Sequence, residues 1–214
     1  MKWQVKYALE NMNKRFGSMG SVEHVNGDAI KISIRNRPEI LAVISESAEI
    51  TLDIAVQHHE QYPDMDFLCG FRSECVWTGE AISFLTDANI GWGSSGTLSS
   101  ALADNNVNTA SHKDYFFPYR LINQMKKNFR SIEREFDRVF TIVLNNGKKL
   151  RVGMLLEYEP TADAVRSFWD QFGPVDVIWN INPNGNPTKL ALEAGRQLGC
   201  GVMKWEELKP LITR

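Results

Sequence analysis

Two stretches place carboxylates and a threonine at one spacing. Glu49, Thr51 and Asp53 fall in SAEITLDIAV, from residue 47, and Glu159, Thr161 and Asp163 fall in EYEPTADAV, from residue 157, each pair 110 residues apart. Carboxylates held close together fix a hard divalent cation, which polarises a phosphate and lowers the pKa of an attacking water. Without a cation or an arginine between them they repel, and one pKa rises. The threonine and aspartate have a simpler role at a strand-to-helix junction. The hydroxyl accepts a first-turn amide, and the acid two residues on faces the positive end of the helix dipole. Capping leaves Glu49 and Glu159 unexplained. Each ends the third strand of its half, beside a strand that opens on Asp28 or Asp137.

The elements that must position these groups are legible in both halves. A helix over residues 3 to 16 precedes the strands SVEHV, DAIKISI and ILAVIS. A helix from Thr51 to about residue 62 follows, then the strand MDFLCGF, the helix GEAISFLTDAN, the strand IGW and the helix TLSSALA. In the second half FPYRLINQMKKNFRSIEREF carries Leu121, Met125, Phe129, Ile132 and Phe136 at helical spacing and predicts one amphipathic helix. Two strands joined at Asn145-Asn146-Gly147 follow as a hairpin, then helix, strand, helix, strand and a final helix or turn.

Asp66 and Asp176, Thr78 and Thr188, and Gly91 and Gly201 match at offset 110; Asp28 matches Asp137 at 109, which requires one residue inserted in the second hairpin turn. The reading is an α/β protein duplicated over about 110 residues. It has units at 1–103 and 115–214 and a polar linker, DNNVNTASHKD, at 104–114.

Composition sets the outer bounds. The 214 residues are 43% hydrophobic and can bury a core. With 24 basic against 26 acidic residues the net charge is -2, so no global field draws the chain to nucleic acid or acidic lipid. No apolar run reaches membrane-spanning length, and the start lacks a leader's apolar region. Cys69, Cys75 and Cys200 form no disulfide or CxxC pattern. They read as buried small hydrophobes in a reduced, cytoplasmic setting.

Other signals have structural readings. GWGSSG, residues 91–96, has dinucleotide-loop spacing but comes late in its unit, so it reads as a turn with Ser94 or Ser95 capping a helix. NPNGNP, residues 182–187, reads as a turn with Asn186 as N-cap, past the carboxyl end of a buried strand where open sheets bind ligands. Arg120, Lys126, Lys127, Arg130 and Arg134 fall off the apolar stripe of the predicted helix, on a solvated face able to contact phosphates. His24, His58, His59 and His112 lack metal-ligand spacing.

The order helix, three strands, helix, strand, with an aspartate opening the second strand and acids on the third, resembles the restriction-endonuclease-like, or PD-(D/E)XK, nuclease superfamily. The tail VDVIWNINPNGNPTKLALEAGRQLGCGVMKWEEL is similar to the close of its Mrr-like and Holliday-junction-resolvase-like branches. The resemblance implies two tandem αβββαβαβ units forming an intramolecular pseudo-dimer. It also implies a site in which Asp137 and Glu157 hold a metal, Mg²⁺ if the site is active, and Asp137, Glu157 and Glu159 are catalytic. The motif lysine is missing: EYE stands where ExK belongs, and Ala48 takes the lysine's place in the first half. Lys148, Lys149 and Arg166 are the candidate replacement cations.

The resemblance therefore implies a catalytically degenerate, nuclease-like scaffold that binds DNA, RNA or a nucleic-acid-processing partner, in a setting such as phage and host conflict. Lys126, Lys127, Arg130, Arg134 and Asn184 are the candidate nucleic-acid contacts. An active metal-dependent endonuclease and a protein-interaction module or inhibitor are the alternatives.

Overall fold

The first helix, α1 (Trp3–Phe16), forms because Val5, Ala8, Met12 and Phe16 recur on one face. After it come β1 (Gly20–Asn26), β2 (Ala29–Ile34), β3 (Ile40–Ser45), β4 (Glu49–Ile50), α2 (Leu52–Gln61), β5 (Phe67–Gly70), β6 (Val76–Trp77), α3 (Gly79–Asp87), β7 (Gly91–Ser94) and α4 (Ser95–Asp104). The chain continues through α5 (Lys113–Gln124), β8 (Phe129–Phe136), β9 (Val139–Leu144), β10 (Lys149–Leu155), α6 (Ala162–Phe172), β11 (Val177–Asn180), α7 (Lys189–Leu198), β12 (Gly201–Met203) and α8 (Trp205–Ile212). The computed structural model describes residues 1–72 and 74–213. It divides into two compact units, Met1–Lys113 and Asp114–Arg214.

Each unit holds a five-stranded mixed sheet. The order is β1-β2-β3-β5-β7 in unit 1 and β8-β9-β10-β11-β12 in unit 2. In both, the first two pairings are antiparallel and the last two parallel. In unit 1, α1 and α4 cover one face, burying Met12, Phe16, Leu98 and Leu102 against Ile30, Ile32 and Ile44. On the other face α2 and α3 bury Ala55, Ile82 and Leu85 against Val43, Leu68 and Trp92. Unit 2 packs Tyr119 and Ile122 of α5 and Leu208 of α8 against Phe140, Ile142, Val152 and Trp179.

The registers repeat at offset 110. Ala29 pairs with Val43 as Val139 pairs with Gly153, Val43 with Leu68 as Gly153 with Ile178, and Phe67 with Gly91 as Val177 with Gly201. This constancy corrects the expected match of Asp28 with Asp137. No residue is inserted in the hairpin: Ile44 N–H donates to the Asp28 carbonyl, and Met154 N–H donates to that of Arg138. The counterpart of Asp28 is Arg138.

The predicted long helix of the second half is a helix, a turn and a strand. The helix ends at Gln124, a single 3-10 turn spans Lys126–Asn128, and residues 129–136 are strand β8. The misleading spacing comes from two irregularities in the β8–β9 register, at Phe129/Ser131 and Arg134/Phe136. Each adds a residue to β8, so Phe129 and Ile132 pair with the core-facing Leu144 and Ile142 although they are three apart. A twice-bulged strand thus carries helix-like apolar spacing.

The stretch expected as a linker, residues 104 to 114, is packed rather than free. Val107 is buried in the unit 1 core, Asn108 Nδ2 donates to Asp66 Oδ1 at 2.9 Å, and Lys113 N–H donates to Thr97 Oγ1 at 3.3 Å. The cap of α7 is also corrected. Thr188, not Asn186, accepts the first-turn amide, from Ala191 at 3.1 Å. Thr51, Thr78 and Thr161 cap α2, α3 and α6 in the same way, and Ser94 caps α4. All three cysteines are buried, and burial pushes the Cys69 thiol up to about 12, so it stays protonated. Among the described residues no helix is long and apolar enough to cross a membrane.

Candidate functional site

The acids expected to form a site in unit 2 do not converge. Asp137 is 0% exposed. The Arg138 guanidinium engages both its oxygens, Nε to Oδ1 at 3.0 Å and Nη2 to Oδ2 at 2.9 Å. This is a buried bidentate pair, the arrangement that gives a carboxylate structural work. Glu157 and Glu159 are exposed beyond the end of β10. Lys148 and Lys149 lie at its other end, in and beside the hairpin turn, and Arg166 pairs with Asp163 at 3.4 Å. None of these joins Asp137 in a hydrogen bond or ion pair among the described residues.

The expected cationic stripe is also dispersed. Lys126 and Lys127 lie in the 3-10 turn, and Arg130 is exposed on β8. Arg134 stacks its guanidinium 3.4 Å from the centre of the Tyr119 ring. Asn184 is exposed in its loop, its N–H donating to Asn182 Oδ1 at 3.0 Å. Beside that loop Phe117, Leu121, Trp179, Asn182 and Trp205 line a cavity of about 260 Å³ past the carboxyl end of β11.

The convergent polar cluster is in unit 1. Lys2, just ahead of α1, places its ammonium 3.1 Å from Asp28 Oδ2 and 3.2 Å from Glu46 Oε1. Gln4, buried on the core side of α1, donates its Nε2 to Glu46 Oε2 at 3.2 Å. Asp28 is only 9% exposed; its N–H donates to Tyr62 Oη at 2.9 Å, and its Oδ1 has no hydrogen-bond partner among the described residues. Arg72 Nε donates to the Glu46 carbonyl at 2.8 Å. His58 Nε2 lies 3.1 Å from Ser45 Oγ.

The electrostatics follow the contacts. Hydrogen bonds to Asp28 and then Glu46 raise the Lys2 ammonium above its usual value, which keeps it charged. Burial lowers His58, with the Lys2 charge acting in the same direction against the pull of Asp28. The His58 imidazole, held toward its neutral form, therefore sits on Ser45 within the fields of Asp28 and Lys2.

The fold brings these groups together simply. β2 begins just after Asp28, β3 ends just before Glu46, and the two strands pair antiparallel, so both acids lie at one end of the hairpin. At offset 110, unit 2 has Arg138 for Asp28, Leu155 for Ser45, Leu156 for Glu46, Phe168 for His58 and Phe172 for Tyr62. Unit 2 thus lacks both carboxylates of the cluster, the serine and the histidine, while Lys2, Gln4 and Arg72 fall on His112, Asp114 and Asn182.

Two carboxylates sharing one cation suit a hard divalent ion, since Mg²⁺ is commonly held by one or two carboxylates together with substrate phosphates. The orphaned Asp28 Oδ1 is an unused hard donor there. No group of three or more His, Cys, Asp or Glu side chains converges among the described residues. Lys2 was not distinguishable in the sequence, because its partners are remote from it along the chain. Gln4 carried a signal: it is polar on the face of α1 that also presents Val5, Ala8 and Met12 to the core. Comparison of the chain with protein-family models, curated proteins and solved structures returned no match.

Proposed function

We propose that the chain is a nuclease-like protein acting on nucleic acid, built of two tandem copies of one unit, with its working site in unit 1 and a silent copy in unit 2. The carrying observation is the shared ammonium of Lys2 between Asp28 and Glu46. These acids occupy the places, at the opening of the second strand and the close of the third, where the nuclease-like resemblance calls for them. Asp28 and Glu46 would hold a divalent cation, which supplies charge to polarise a phosphodiester and acidify water. Lys2 provides the cation missing from the motif position at Ala48. Gln4 orients Glu46 through its hydrogen bond.

The test is cleavage of single- and double-stranded DNA and RNA with Mg²⁺ or Mn²⁺. Asp28→Asn and Glu46→Gln are expected to lose activity while Glu157→Gln in unit 2 keeps it. Undiminished cleavage by the two unit 1 variants, or no cleavage by the wild type with either cation, overturns the proposal.

A further inference from the structure

Three aromatic rings stand at the edge of the unit 1 cluster, and two of them are turned to solvent. Trp3 is 68% exposed and Tyr7 46%. Trp3 and Tyr7 are one helical turn apart on α1, their ring centres separated by 5.5 Å. Each meets Phe71 edge-on, with centroids at 5.4 Å and 5.6 Å. Phe71 is anchored at its base, packed partly against the unit 1 core. Helix formation and core packing therefore fix the three rings before anything binds.

The rings are continuous with the proposed site. Trp3 follows Lys2, which pairs with Asp28 and Glu46, and Phe71 precedes Arg72, which donates to the Glu46 carbonyl. The exposed side of α1 carries Lys6, Lys14 and Arg15 against Glu10. An exposed tryptophan and tyrosine among cations, adjoining paired carboxylates, match the needs of a flexible polyanion with flat rings. Bases stack on aromatic faces in any sequence, and the backbone follows positive charge. In a duplex the bases are already stacked on one another and offer no free face.

We infer that Trp3, Tyr7 and Phe71 form a stacking platform that delivers single-stranded nucleic acid to the unit 1 site. This assignment of substrate class rests on the proposed phosphodiester chemistry, but its binding step is measured separately.

The experiment is fluorescence anisotropy in EDTA with labelled single-stranded DNA, single-stranded RNA and blunt duplex of one length. Wild type, Trp3→Ala, Tyr7→Ala and the double variant are compared, with thermal melts confirming that these exposed substitutions leave the fold intact. Single-strand affinity is expected to fall about tenfold for each ring removed, the change for one stacked base, with duplex affinity little altered. The DNA and RNA arms decide which strand is preferred. Equal affinity of wild type and double variant for single strands overturns the platform, as does a wild type that binds the duplex more tightly. A wild type that self-associates through these rings, becoming monomeric in the double variant with oligonucleotide affinity unchanged, overturns it as well. Loss of single-strand affinity in the ring variants while Asp28→Asn still cleaves defeats the phosphodiester reading and leaves the platform. An inactive Asp28→Asn beside ring variants that bind as wild type does the reverse.

Discussion

Asp66 and Asp176 do one job at one place in their two sheets. Asp66 Oδ2 accepts the Leu41 N–H at 2.8 Å, and Asp176 Oδ2 accepts the Arg151 N–H at 2.7 Å, with donors and acceptors alike 110 residues apart. Each aspartate also exchanges backbone bonds with the neighbouring strands: its N–H donates to the carbonyl of Leu41 or Arg151, and its carbonyl accepts from Gly91 or Gly201. The carboxylate thus ties the start of the third strand to the strand that pairs with it. A hydrogen bond to a charged group contributes about 1.5–3 kcal/mol. Asp66→Ala and Asp176→Ala are each expected to lose stability of that order in urea denaturation, with the Asp66 variant also losing its bond from Asn108.

Asp137→Ala should act on stability rather than on a reaction. It removes the carboxylate that meets two nitrogens of the Arg138 guanidinium, a side chain only 16% exposed. Breaking a buried pair from one side costs about 3–5 kcal/mol. Chemical denaturation will show a large loss, and replacing both residues by well-packed apolar side chains should restore much of it.

Gly153 and Phe168 form a fitted pair. A Cβ at residue 153 would run into the Phe168 ring, so Gly153→Ala is expected to destabilise by about 1–3 kcal/mol through overpacking. Unit 1 has Val43 and His58 at the matching positions, the larger residue in the strand and the smaller on the helix. Phe168→Leu in the Gly153→Ala background should therefore cost less than the sum of the single changes, measured as a double-mutant cycle.

Glu135 contributes a pH-dependent increment. Burial works to raise its carboxyl, but hydrogen bonds from Arg151 and Thr141 and the Arg151 charge outweigh this and hold it below the ordinary 4.5. With the folded value depressed, the unfolded chain binds the proton first, so the increment is present above about pH 4.5 and is lost as pH falls through the folded value. The melting temperatures of wild type and Glu135→Gln should differ at neutral pH and converge in acid.

Lys126, Lys127 and Arg130 are exposed cations that do not share a helix with Arg134. If they touch phosphates, their combined replacement by alanine lowers the slope of log affinity against log salt by about 0.7 for each single-strand phosphate they neutralise, with the melting temperature unchanged. Arg134→Ala should instead lower the melting temperature, because its guanidinium lies on Tyr119.

Local chemistry was readable from the chain by itself. The threonine caps of α2 and α6, the Asn145-Asn146-Gly147 hairpin, the amphipathic α1 and the 110-residue offset each depend on residues close in sequence or on comparing one stretch with another. The two-residue strands β4 and β6 were not readable, being too short to show a period and existing only through pairing with each other. Strand β8 was misread because its bulges are a property of its register with β9. The candidate site lay furthest from view. The register makes Arg138, not Asp137, the counterpart of Asp28, and Lys2 joins Asp28 and Glu46 only after α1 docks on the sheet. A sequence prescribes what each short segment prefers, whereas a charge finds its partner through contacts between segments, which exist only in the folded chain.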